Sequence, residues 1–157
     1  MKFSYRFLIE NYDKDGRLGG QNETEKTKIH TFIHAAEGTF CMYALPIAYA
    51  RWFSPKSVFE SGDLKKLEEG LAINVCKDLD WLESELKGSG GRFLVGGKVT
   101  AADTMNVFGI QFIFARDLCV GRKIYEWPRV EKWLRDCEGT EMWKRAVKKT
   151  GYDMSPT

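Results

Sequence analysis

At 157 residues the chain has the size of one domain with a sizeable core. Its charged residues, 29% of the whole, nearly cancel to a formal net charge of +2, which gives no support for nucleic acid or a membrane surface as partner. Cys41, Cys76, Cys119 and Cys137 are scattered without a CxxC, and His30 and His34 are too few for a zinc site of the usual kind, so no metal is expected.

Free buried thiols in a reducing compartment are the expectation. No signal peptide opens the chain, and no apolar run of about 18 residues is free of charge, so a soluble cytoplasmic protein is expected. Aromatic residues make up 13%, with five tryptophans. Such a content suits a large helix-packed core or a cavity walled by rings.

In chain order, Phe3 to Tyr12 reads as a short helix, with Phe3, Phe7, Leu8 and Tyr12 on or near one face. Turn residues from Asp13 to Gly20 end it. From Glu23 to Phe53 Ile29, Phe32, Ile33, Ala36, Phe40, Tyr43 and Ala44 recur at helical spacing, which predicts one long helix. Pro46 lies inside it and predicts a kink near Met42–Leu45, with Gly38 and Thr39 adding looseness. Asp63 to Lys87 predicts a second long helix with Leu64, Leu67, Leu71, Val75, Leu79, Leu82 and Leu86 inward.

The glycines at 88, 90, 91, 96 and 97 do not make a phosphate loop. Gly97-Lys98 lacks the earlier glycine, where Arg92 stands, and the following hydroxyl, where Val99 stands. They read as a helix stop and a turn. Thr100 is then placed to cap a helix, with Asp103 three residues on to complete a capping box and face the positive end of the helix dipole. The run from Met105 to Cys119 is apolar on nearly all sides, which predicts a central, buried helix. Pro128 suits the first turn of a further helix, with Val130, Trp133 and Leu134 inward. Gly139 ends that helix, and Thr140–Thr150 predicts a last one. The fold class is all-α, with residues 1–20 a short helix and linker, 21–150 the helical domain and 151–157 a loose tail.

Three stretches resemble the C-terminal helical domain of the glutathione transferases. Phe93-Leu-Val-Gly-Gly-Lys-Val-Thr-Ala-Ala-Asp103 is similar to the family's capping-box segment. Glu126-Trp-Pro-Arg-Val-Glu-Lys-Trp-Leu134, followed by Trp143-Lys-Arg-Ala146, resembles its ending. His34-Ala-Ala-Glu-Gly-Thr39 resembles a stretch in the first long helix of fungal and bacterial members. Phe7 to Tyr12 is similar to the last turns of the helix that closes the family's thioredoxin-like N-terminal domain. The chain starts after the residues that hold glutathione in the family, so no glutathione-binding residue is carried over. No cofactor is therefore expected, glutathione being usable only if a partner or another chain supplies the site. Two departures stand out. The apolar staple around the cap would pair Val99 with Thr104, and Gly139-Thr-Glu-Met replaces the usual proline before the last helix.

Thr100 and Asp103 read as a structural cap. His34 and Glu37, three apart on one helix face, are the candidate acid–base pair, since the resemblance turns that face toward the cleft between domains. The resemblance also implies a hydrophobic-substrate pocket walled by Phe40, Cys41, Tyr43, Phe108, Gln111, Phe112 and Arg116. Phe108, Phe112 and Arg116 share a face at four-residue steps, and an arginine in an apolar run must find an anion. Chemistry is expected where Phe112 and Arg116 meet the His34–Glu37 face. Three readings follow. The first is a stand-alone binder of a hydrophobic small molecule, acting as a glutathione-independent isomerase or cyclase or as a transferase-derived enzyme. The second is a non-catalytic dimerisation module, and the third a truncated ordinary glutathione transferase. Lys2, Ser4 and Arg6 alternate with Phe3, Tyr5 and Phe7, leaving the first helix apolar on one side only, which suits a chain that stands alone as a homodimer.

Overall fold

The computed structural model describes residues 2–152 and 154, and the side chains of 5–152 and 154. Among the described residues the regular elements are all helical. They are α1 (Lys2–Tyr12), α2 (Glu23–Ala35), α3 (Cys41–Phe53), α4 (Lys56–Glu60), α5 (Asp63–Gly88), α6 (Ala101–Ala115), α7 (Pro128–Glu138) and α8 (Glu141–Thr150).

The long helix expected over Glu23–Phe53 is present as α2 and α3, joined by a π turn at Ala36–Phe40. The irregularity thus falls at Gly38 and Thr39 rather than at Pro46, which sits inside an unbroken α3. Proline leaves the carbonyl of Met42 without its helical donor, but Met42 is half exposed, so water can serve that oxygen.

α6 packs chiefly against α2, while α5 packs against α3 and α7. The core gathers Ile29, Phe32, Ile47, Leu79, Leu82, Ile110, Val130 and Trp133 from these helices. Trp81 of α5 is stacked by Phe32 and Phe40, with ring centroids 5.5 and 5.7 Å away.

Three inward faces differ from expectation. On α1 it is Tyr5 and Ile9 that pack on the core, while Phe7, Leu8 and Tyr12 are exposed; the Phe3 side chain lies outside the described residues. The Tyr5 hydroxyl meets Thr104 Oγ1, which pins α1 to α6 through its Tyr5–Ile9 side. On α5 Leu67 is exposed, because its neighbour Glu68 turns inward to bind Arg51 of α3 at 2.8 Å. On α6 one edge opens outward, as described below.

The link after α1 does not hang free. The Asp13 carboxylate accepts from the backbone of Arg17, Leu18 and Gly19, and the Leu18 carbonyl accepts from Ala101 N at 3.0 Å. Residues 13–20 thereby dock on the start of α6. At the other end of the bundle, Glu83 of α5 accepts from Arg129 N and Val130 N. A carboxylate from one helix so caps the first turn of another.

Candidate functional site

The placement of α6 begins with Asp103, which is 1% exposed. Thr100 and Asp103 form the expected capping box, with Asp103 Oδ2 accepting from Thr100 N at 2.8 Å. The carboxylate does more than cap. Its Oδ1 accepts from Leu94 N at 3.0 Å and from Trp133 Nε1 of α7 at 2.8 Å. Loop, helix start and neighbouring helix therefore converge on one side chain.

So oriented, α6 buries Val107, Ile110 and Ile113 and turns Thr104, Phe108 and Phe112 outward on a single edge. Phe108 is 53% exposed and stacks on Phe112 at 6.2 Å, with the planes 9° apart. Phe112 meets Trp52 of α3 edge-on at 6.3 Å, and Trp52 touches Tyr49 and Phe53. In the other direction Phe108 meets Tyr152 at 6.0 Å, and Tyr152 meets Trp143 of α8 at 5.7 Å. A continuous line of rings, several of them half exposed, thus runs from Phe53 to Trp143.

Trp143 also lines an apolar cleft of about 210 Å³ between α6, α7 and α8, together with Thr104, Val107, Cys137, Met142 and Ala146. The Tyr152 hydroxyl donates to Gln111 Oε1 at 3.2 Å, and Gln111 Nε2 donates to Glu138 of α7. Gln111 therefore ties the segment after α8 to α6.

The candidate residues divide between the middle of this wall and its Phe53 end. Cys41 Sγ lies 3.5 Å from where a Cβ on Gly109 would stand, beside Phe108. Burial first, and then the negative charge of Glu37, push the Cys41 thiol up, so Cys41 stays protonated and is a poor nucleophile. Glu37, on the π turn, and His34, on α2, are both exposed. Cys41 thus adjoins the middle of the wall, at Phe108.

Arg116 is at the Phe53 end. Its carbonyl accepts from Arg51 Nη1, and Arg51 lies about four turns, roughly 20 Å, beyond Glu37 along α2–α3. The structure does not bring Arg116 to the His34–Glu37 face. Among the described residues no anion pairs with the Arg116 side chain, and its Nε is buried without a hydrogen-bond partner. The arginine that does find one is Arg51, bidentate on Glu68 at 2.8 and 3.0 Å. Its raised guanidinium pKa has that bond as the first cause.

Phe40 is 1% exposed and stacked on Trp81, so it belongs to the core and not to the wall. Tyr43 is half buried against the core. Sequence reasoning missed Tyr49, Trp52, Phe53, Trp143 and Tyr152. The first three were detectable as ring residues crowded into one helical segment, but apolar residues there read equally well as core.

The helices define an all-helical domain organised on a capped central helix. Over residues 40–141 the chain matches the family described as glutathione S-transferase, C-terminal domain, and it belongs to that family. It is similar to the glutathione S-transferase-like protein OpS6 of Beauveria bassiana (strain ARSEF 2860), with 29% identity over 97 residues, which are 62% of this chain and 42% of that protein.

Among solved structures it is similar in fold to a glutathione S-transferase of Actinobacillus pleuropneumoniae. The TM-score is 0.73 at 16% identity, covering 98% of this chain and 64% of that one. Poplar glutathione transferase F1 gives a TM-score of 0.68 at 20% identity, covering 93% of this chain and 65% of that one. The chain thus spans about two fifths of the curated relative and under two thirds of the solved structures. No helix of the described residues is long and apolar enough to cross a membrane.

Proposed function

We propose that the bundle holds a hydrophobic small molecule along the ring wall between α3 and α6, as the substrate side of a glutathione-transferase-like protein. The half-exposed line of rings from Phe53 to Trp143 carries the reading. Large aromatic faces left to water are costly unless something covers them. The cleft of about 210 Å³ at the Trp143 end has room for roughly one aromatic ring of such a ligand.

His34 and Glu37, near Cys41, are in this reading the ionisable groups for a transferase- or isomerase-type step. Glutathione, if used, is held by groups other than those of this wall.

Titration with anilinonaphthalene sulfonate, followed by probe emission and by quenching of tryptophan, tests the binding. W52A and F108A together are expected to weaken it at least about tenfold, about 1.4 kcal/mol, while F7A on α1 leaves it unchanged. Equal binding by the double variant would sink the reading.

A second reading, a homodimerisation module, draws on Phe7, Leu8 and Tyr12 of α1 with Leu67 and Ile73 of α5, all about half exposed or more. Light scattering of the purified chain decides it. A monomer at tens of micromolar removes it.

A further inference from the structure

Outside the ring wall, a cleft of about 420 Å³ lies between the middle of α5 and the turn that follows α6. Cys76 of α5 and Cys119 of that turn both line it, as do Val120 and Arg122. Each sulfur-bearing residue is nearly buried, yet the cleft connects both to solvent. Nothing in the ligand-handling reading uses them.

The surroundings of the pair are built rather than incidental. The Arg122 guanidinium sits 4.5 Å over the Trp127 ring and donates to Glu126 at 2.8 Å. Held there, it lines the same cleft as Cys76.

The turn that carries Cys119 is strained. Asp117 (φ 50°) and Val120 (φ 47°) both occupy the left-handed region without being glycine. For a β-branched residue this is a genuine outlier, and such strain persists where the surrounding structure enforces it, often at functional sites. Asp117 fixes the turn through its carboxylate, which accepts from Gly121 N at 3.2 Å.

The two sulfurs are not equivalent. Burial first, and then the neighbouring Cys76, push the Cys119 thiol up, which disfavours Cys119 as the attacking sulfur.

We propose that Cys76 and Cys119, which line one cleft, form a peroxide-oxidisable dithiol, with Cys76 as the attacking sulfur and Cys119 as the resolving one. The Cys76 sulfur attacks one oxygen of hydrogen peroxide, the O–O bond breaks, and the departing oxygen takes a proton to leave as water. Cys76 is then a sulfenic acid. The Cys119 sulfur attacks it, the S–O bond breaks, and the Cys119 proton leaves with the hydroxyl as a second water. In all, two thiols lose two electrons and two protons, and one peroxide becomes two waters. The new bond ties the turn after α6 to α5.

Purified, folded, fully reduced full chain is exposed to hydrogen peroxide, the remaining thiols are alkylated, and peptides are mapped by mass spectrometry. The expected product is an intramolecular Cys76–Cys119 disulfide, reversed by dithiothreitol, with Cys41 and Cys137 still free. In C119S the reaction is expected to stop at a Cys76 sulfenic acid that dimedone traps. In C76S no dimedone adduct forms on Cys119. The mapping of the unsubstituted chain decides the proposal even if a variant folds poorly. All four thiols remaining free, or a bond through Cys41 or Cys137, overturns it. A dimedone adduct on Cys119 instead of Cys76 overturns the assignment of roles.

Discussion

At its N-terminus α6 is held by a carboxylate of its own first turn, whereas at its C-terminus it is held by a guanidinium that belongs to another helix. Asp103 takes four hydrogen bonds, two of them from Thr100 close by in the chain. The far end closes on Asp117 in the left-handed region, with Leu118 N bonded to Ile113 O and Asp117 N to Phe114 O. This is the usual helix-ending pattern with aspartate where glycine is favoured. Arg51 of α3 then serves the exposed carbonyls of Arg116 and Asp117. A cap from within the helix is a local device. A cap from a distant helix works only once the bundle is packed.

The contrast can be broken first at Asp103. Asp103→Ala strands the Trp133 Nε1 and Leu94 N donors in the core besides removing the cap. At about 1–3 kcal/mol per buried unpaired group, the loss is expected to reach about 3–5 kcal/mol, read by urea unfolding. The cap alone would cost about 0.5–2 kcal/mol, so a loss within that range would mean the bonds to Trp133 and Leu94 contribute little.

The other end yields to Arg51→Met, which leaves Glu68 without its partner and the α6 carbonyls unserved. The side chains of Arg51 and Glu68 are 28% and 13% exposed, so water offsets part of this and about 2 kcal/mol is expected. Adding Glu68→Leu should restore part of the loss, and additive effects in that cycle would show that the pair is uncoupled.

A smaller effect sharpens the comparison by lying at neither end. Asp78 of α5 has Oδ2 buried without a partner, and desolvation raises its pKa from 3.8 to about 6. A raised carboxyl pKa means the folded state binds more protons between those values, so stability falls as pH rises from about 4 to about 6 and stays lower above. Asp78→Asn is expected to stabilise by about 1 kcal/mol at pH 7.5, after allowing for partial exposure, and to lose that advantage at pH 4. A melting-temperature gain that does not depend on pH would refute the assignment.

What could be read from sequence follows the same division between local and distant. The all-α class, the long helices and the Thr100–Asp103 box rest on spacings within a few residues. The shared edge of Phe108 and Phe112 follows from their four-residue step. Arg51 and Glu68 are far apart in the chain, so nothing local marks them, and the need for an anion fell instead on Arg116. Phe40 enters the expected wall only through the family resemblance, and packing against Trp81 is what tells core from surface there. Thr140 illustrates a milder case. It accepts from Trp143 N and so starts α8 without the proline that the family pattern uses.

The π turn at Ala36–Phe40 has a geometric consequence for everything that follows it. A π turn is an α-helix with one additional residue, and one residue turns an α-helix by about 100°. α3 therefore leaves α2 out of phase with it, and the direction in which Tyr49, Trp52 and Phe53 point is set upstream, at the Glu37–Thr39 stretch. Shortening that stretch by one residue would keep every ring in the chain and still rotate the α3 half of the wall away from Phe112. Selection acting on the Glu37-Gly38-Thr39 stretch would in that sense be selection on angular offset.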